Sequence, residues 1–264
     1  MIEVTRGNSP IVLGLPHSAT DVPLDIWESL NDRGRALADT DWHIDRLYSD
    51  LGLDLTRVRT PVHRYVIDVN RGPDDASLYP GQNTTGLCPL TDFDGEPIYV
   101  EGAEPDAAEV ARRKKVYHTP YHDALATELR RVRDKYGVAI LYDCHSIRSV
   151  IPYLFNEILP DFNIGTNSST SCSPSVEKSV HTRCRAAMDY SCVLNGRFKG
   201  GWTTRNYGQP AENIHAIQME LAQSTYMDES APWHYRPDKA ERLRPILYRI
   251  LNDLSELIHE RQLR

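Results

Sequence analysis

The chain has 264 residues, 25% of them charged, and a net charge of -7. A mildly acidic chain without a basic stripe or an aromatic–basic platform excludes nucleic acid as an expected partner. No apolar stretch approaches the ~18 residues of a membrane span and no charged-then-apolar leader follows Met1, so a soluble, unprocessed, cytoplasmic protein with no membrane partner is expected. Cys88, Cys144, Cys172, Cys184 and Cys192 are odd in number and lack CxxC spacing. That argues against a disulfide framework or a structural zinc site and fits a reducing compartment.

In chain order, Ile11 to Leu15 is a short apolar strand ending in Pro16-His17-Ser18. Leu24 to Asn31 reads as a short helix. Asp41 to Leu51 takes helical period, with Ile44, Leu47, Tyr48 and Leu51 on one face and Asp39, Asp41 and Asp45 near its start. Leu55 to Val58 and Tyr65 to Val69 are read as strands. Residues 71 to 95, rich in Gly, Pro, Asn, Asp and Thr, form a long functional loop. A helix begins near Pro105, is interrupted at Pro120 and resumes to Gly137. Val138 to Tyr142 is the most apolar run, a buried strand with Asp143-Cys144-His145-Ser146 at its C-terminal edge, where open α/β sheets bind ligands. The chain after Ile151 reads as loop, then a helix over about 175–190, a short strand at Cys192 to Leu194 and a flexible polar loop at Gly200 to Arg205. Ile214 to Leu221 is an apolar strand carrying Glu220, and a helix from about Asp238 to Arg261 repeats Leu and Ile at helical spacing. Strands separated by helices predict one α/β domain, residues 1–264, with helices on both sheet faces.

The chemistry gathers at strand ends. His17, His145 and a carboxylate from the acidic group at 39–45 supply the three protein ligands of a catalytic zinc, which keeps a fourth position for water. Glu220, a carboxylate in an otherwise apolar strand, is the candidate general base. Taken singly, each histidine serves as a hydrogen-bonded structural residue, Asp41 as a helix cap and Glu220 as an arginine partner. Together they point to a metal-assisted hydrolase. Arg64, Arg71, Arg148 and Arg205 flank strand ends or Gly-rich loops, and their forks match carboxylates, so the expected substrate carries at least one. A non-catalytic binder of dicarboxylic amino acids would have no use for Glu220 or for two strand-end histidines.

The ordered set Pro16-His17-Ser18, Asp39 to Tyr48, Val66-Ile67-Asp68-Val69-Asn70-Arg71, Tyr117 to His122, Asp143-Cys144-His145-Ser146 and Gln218-Met219-Glu220 resembles the N-formylglutamate amidohydrolase family, which is similar in fold to zinc carboxypeptidases. The resemblance implies a three-layer α/β/α sandwich with a mixed, mostly parallel sheet. It implies hydrolysis of N-formyl-L-glutamate to formate and L-glutamate, the last step of a histidine degradation route. It also implies one Zn²⁺, or another divalent metal, per chain, held by His17, Asp41 and His145. The peptidases place an acid three residues after the first histidine, where this chain has Thr20, so the acid comes from elsewhere; Asp41 matches the family, with Asp39 and Asp45 as alternatives. By the same resemblance Glu220 is the base, and Asn70 and Arg71 bind one carboxylate of a small dicarboxylic N-acyl amino acid; on the placement of the arginines, Arg64 is expected to help stabilise the oxyanion and Arg148 or Arg205 to bind the other carboxylate. A related zinc-dependent N-acyl amino-acid deacylase, or a carboxypeptidase-like amidohydrolase acting on another acidic substrate, would use the same residues.

Overall fold

The apolar runs at 11–15, 138–142 and 214–221 form the three central strands of a seven-stranded sheet. The computed structural model describes residues 1–259. The strands are β1 (Glu3–Thr5), β2 (Ile11–Leu15), β3 (Thr56–Arg59), β4 (Ala139–Ile147), β5 (Phe162–Gly165), β6 (Cys192–Leu194) and β7 (Ile214–Ala222), in the spatial order β1-β3-β2-β4-β7-β5-β6. β3, β2, β4 and β7 run parallel, as do β5 and β6, while β1 on β3 and β5 on β7 are antiparallel. The sheet is therefore mixed and mostly parallel.

The helices are α1 (Leu24–Ser29), α2 (Asp32–Arg35), α3 (Ile44–Ser49), α4 (Ala107–Arg113), α5 (Thr119–Tyr136), α6 (Pro174–Ala186), α7 (Trp202–Tyr207) and α8 (Pro237–His259). Strand alternation sorts the core into two layers. Ile11, Leu13, Ile140, Tyr142, Cys144, Ile217 and Met219 pack with α3, α6 and α8. Val12, Ala139, Leu141, Ile214 and Ala216 pack with α5 on the other face. Helices thus cover both faces, as expected of α/β architecture, and the even-numbered side chains of β7 share a face with the odd-numbered ones of β4.

Four expectations are corrected. Tyr65 to Val69 is a buried turn, not a strand: Val66 N donates to His63 O and Asp68 N to Leu87 O. Side chains satisfy its carbonyls, with Tyr99 Oη donating to Tyr65 O, Arg113 Nη1 to Val66 O and His122 Nε2 bonded to Val69 O, so no neighbouring strand is needed. Pro120 does not interrupt the helix. A π-helical turn over Lys114–His118 joins α4 to α5 and absorbs the hydrogen bond that proline cannot make. Residues 202–207 are helical rather than a flexible loop, anchored where Gly201 N donates to Gln218 Oε1 and Thr203 N to Asn70 Oδ1. The short strands β1 and β5 were not anticipated. The last helix meets its expected span as far as His259; its expected extension to Arg261 lies outside the described residues.

Candidate metal centre and active site

His17 lies just beyond β2, and His145 stands on β4 directly beside Glu220 of β7 in the parallel register. Asp143 pairs with Gln218 one step earlier on the same face. Cys144, between the two site residues, points into the opposite layer, where burial pushes its thiol well above the ordinary range. It is therefore no candidate nucleophile. Asp41 comes from the segment ahead of α3, tied in by its own N–H on His17 O (3.0 Å) and by Ser146 N on its Oδ2 (3.1 Å).

One ligand atom from each of His17, Asp41 and His145 can be chosen so that all lie within 4.8 Å of one another, and all three residues are buried. Asp41 Oδ2 is 3.7 Å from His17 Nδ1 and 3.5 Å from His145 Nδ1. The remaining nitrogens face other carboxylates: His17 Nε2 is 2.7 Å from Asp68 Oδ1 and His145 Nε2 is 3.1 Å from Asp143 Oδ2. An acceptor-only carboxylate there fixes the proton on Nε2 and leaves Nδ1 to face Asp41. Carboxylates that orient ligating histidines in this way are the usual outer support of a metal site.

The electrostatics call for positive charge at this point. Asp41, Asp68, Asp143 and Glu220 are all buried, with Arg64 the buried cation among them. Burial opposes ionisation of Asp41, but hydrogen bonds from His145 and His17 hold its carboxyl below the usual range. Burial likewise opposes ionisation of Asp68, yet Arg71, His17 and Arg64 hold it well below the usual range. Burial disfavours charge on His145, but Asp143, then Asp41 and Glu220, hold its pKa well above the ordinary imidazole value. A proton or a cation at Nδ1 would answer that demand, and ligand sites of this kind exchange one for the other. Arg64 Nη2 lies 2.5 Å from His17 Nδ1, so guanidinium and cation would contend for the same lone pair. With two histidines, one carboxylate and two supporting carboxylates, the donor set fits a divalent ion. Of the acids near residue 40, only Asp41 belongs to the cluster. Asp39 accepts from Tyr65 Oη and Phe93 N, and Asp45 faces Arg59 at 3.7 Å.

A cavity opens in front of these residues. His17, Arg64, Asn70, Arg71, His145 and Glu220 all line it, and Asp41 sits behind the histidines. Glu220 accepts from Gln218 Nε2 (3.0 Å), and burial pushes its carboxyl above the ordinary range. Arg71 is braced by Thr85 O (2.8 Å) and Thr85 Oγ1 (3.2 Å), with Asp68 Oδ2 at 3.7 Å. Gly201 also lines the cavity, but its missing side chain serves Asn70: a Cβ there would meet Asn70 Nδ2 at 2.2 Å.

Two selected arginines are not brought in. Arg148 pairs with Asp94 (3.1 Å) and Asp39 (3.7 Å), and Arg205 donates to Gly200 O (2.9 Å) and lies over the Tyr79 ring. Neither lines the cavity. Arg197, Gln218, Tyr79 and Asp68 were missed as site residues. Asp68 had a usable signal, since it stands two residues before Asn70 within the Val66 to Arg71 motif. Arg197 had none, lying in a short segment between β6 and α7 with no pattern of its own.

Comparison with known proteins gives the family and the fold. The sequence profile of the N-formylglutamate amidohydrolase family matches residues 9–227. An N-formylglutamate deformylase of Pseudomonas aeruginosa is 47% identical over 263 residues, covering 99% of this chain and 98% of that protein. An N-formylglutamate deformylase of Pseudomonas putida is 46% identical over 252 residues, covering 94% and 93%. In fold the chain is similar to an N-formylglutamate amidohydrolase from Ralstonia eutropha JMP134, with a TM-score of 0.82, 24% identity and 98% of both chains covered. It is also similar in fold to a gene product of Agrobacterium tumefaciens, with a TM-score of 0.69, 17% identity and coverage of 97% and 95%. On a profile that takes in most of the sequence and relatives near half identity over nearly full length, this chain belongs to the N-formylglutamate amidohydrolase family.

Proposed function

We propose that this protein hydrolyses N-formyl-L-glutamate to formate and L-glutamate, acting as a single domain. The observation that carries the reading is Glu220. It is a buried carboxylate without an ion-pair partner among the described residues, in direct register with His145 and on the wall of the cavity that Asn70 and Arg71 share. A buried carboxylate is unfavourable unless hydrogen bonds or a nearby cation compensate it, and Glu220 has a single side-chain hydrogen bond and stands beside the cluster that would hold the ion. The deformylases of the two Pseudomonas species, at 47% and 46% identity, support the same substrate.

His17, Asp41 and His145 would hold one Zn²⁺ or similar ion, which when bound polarises a carbonyl and makes water acidic. Glu220 accepts a proton from the attacking water as the new C–O bond forms at the formyl carbon. It returns the proton to the nitrogen as the C–N bond breaks, releasing formate and the free amino group. Arg64, against His17 on the cavity wall, supplies fixed positive charge to the developing oxyanion. Asn70 and Arg71 hold the α-carboxylate, with Asn70 kept in place by Asp68 and by α7. Asp68 and Asp143 orient the histidines.

A panel of N-formyl-, N-acetyl- and N-succinyl-L-glutamate with N-formyl-L-aspartate tests the reading. The highest kcat/KM is expected for N-formyl-L-glutamate. Equal or faster turnover of N-acetyl-L-glutamate would make the protein a broader N-acyl amino-acid deacylase.

A further inference from the structure

One cavity arginine has no part in the chemistry above. Arg197 donates from Nε to Leu154 O (3.1 Å) and from Nη2 to Asn83 O (3.0 Å), both backbone carbonyls. Its guanidinium lies against the rings of Tyr79 and Phe198, 5.4 Å from each centroid. Among the described residues no carboxylate reaches ion-pair distance of it, whereas Arg64 and Arg71 both stand near Asp68, at 3.5 and 3.7 Å. Burial lowers the Arg197 pKa, and the charge of Arg71 adds to that. Carbonyls and aromatic faces hold the guanidinium in orientation but leave its charge without a counter-ion. The same cavity carries the polar residues Asn83, Thr84 and Thr85 from the long loop.

Resting on the function proposed above, we propose that Arg197 binds the side-chain carboxylate of the substrate and is the residue that selects glutamate-type N-formyl amino acids. Arg71 with Asn70 takes the carboxylate common to every amino acid, and Arg197 takes the one that distinguishes glutamate. The two arginines then divide recognition in a way that substrate pairs can separate. A purely structural Arg197, tethering the long loop to Leu154, would affect all substrates alike.

The test compares formate release from N-formyl-L-glutamate and N-formyl-L-glutamine, equal in size but differing in the charge at the side-chain end. The wild type is expected to favour the charged substrate. In Arg197→Gln the ratio of the two kcat/KM values should fall about 10–100-fold, chiefly through KM for N-formyl-L-glutamate, the range for losing a hydrogen bond to a charged group. Arg71→Gln should lower both values and keep their ratio within about 3-fold, because both substrates retain the α-carboxylate. Arg197→Lys, which keeps the charge without the fork, should give an intermediate ratio and carries the test if the glutamine variant melts early. A wild-type ratio in a folded Arg197 variant overturns the proposal. Wild-type turnover without preference for the charged substrate also overturns it while leaving the hydrolase reading intact. No wild-type turnover of either substrate overturns the hydrolase reading itself.

Discussion

Glu220→Gln is expected to lower kcat for N-formyl-L-glutamate by about 10²–10⁴-fold, the range for removing a positioned general base. KM should stay within a few-fold and metal content should be unchanged. The substitution is nearly isosteric and keeps a side-chain oxygen for the bond from Gln218 Nε2, so β7 has no reason to move. Nothing at ion-pair distance depends on the lost charge among the described residues. The effect should therefore appear in proton transfer and not in stability. Steady-state kinetics with elemental analysis and a thermal melt on the same sample checks it. Turnover within about 10-fold of wild type would remove Glu220 as the base.

Asp41→Asn should have a comparably large effect by a different route. Asp41 Oδ2 faces both Nδ1 atoms and also accepts from Ser146 N, so the side chain sits where a shared ion would need its negative ligand. An amide keeps the shape and loses the charge. Outer supports of metal sites cost 10–100-fold in affinity when removed, and a direct ligand should exceed that, at ~10²-fold or more. Purified Asp41→Asn should carry far less than the roughly one zinc per chain expected of the wild type, and its turnover should fall with its metal content. Full metal occupancy in this variant would place the ion elsewhere.

The sequence made most of the scaffold legible for a simple reason. The three central strands are buried on both faces and read as near-continuous apolar runs, and the last helix repeats its leucines at helical spacing. Elements stabilised from outside themselves were not legible. Tyr65 to Val69 has the composition of a strand, but its carbonyls are satisfied by Tyr99, Arg113 and His122, up to 53 residues away in the chain. α7 forms because Gln218 and Asn70 anchor its start, which no local propensity signals.

The site followed the same division. His17, His145 and Glu220 sit at or near the ends of recognisable strands, and Arg64, Asn70 and Arg71 stand beside a motif, so position in the chain indicated position in space. Asp41 among three neighbouring acids was a matter of backbone geometry: His43 takes a left-handed conformation, which starts α3 only at Ile44 and leaves Asp41 in the turn ahead of it. Arginines carry little positional information from sequence. Arg148 and Arg205 flank Gly-rich or strand-end segments but have other partners, while Arg197 reaches the cavity from a segment without a pattern.

The most direct measurement of the central claim is formate release from N-formyl-L-glutamate by the purified protein, before chelation, after removal of metal, and after return of one equivalent of Zn²⁺. Turnover should be present, fall to near background on chelation, and recover with zinc in the wild type but not in Asp41→Asn. Full turnover by metal-free protein, or none under any of the three conditions, would contradict the account.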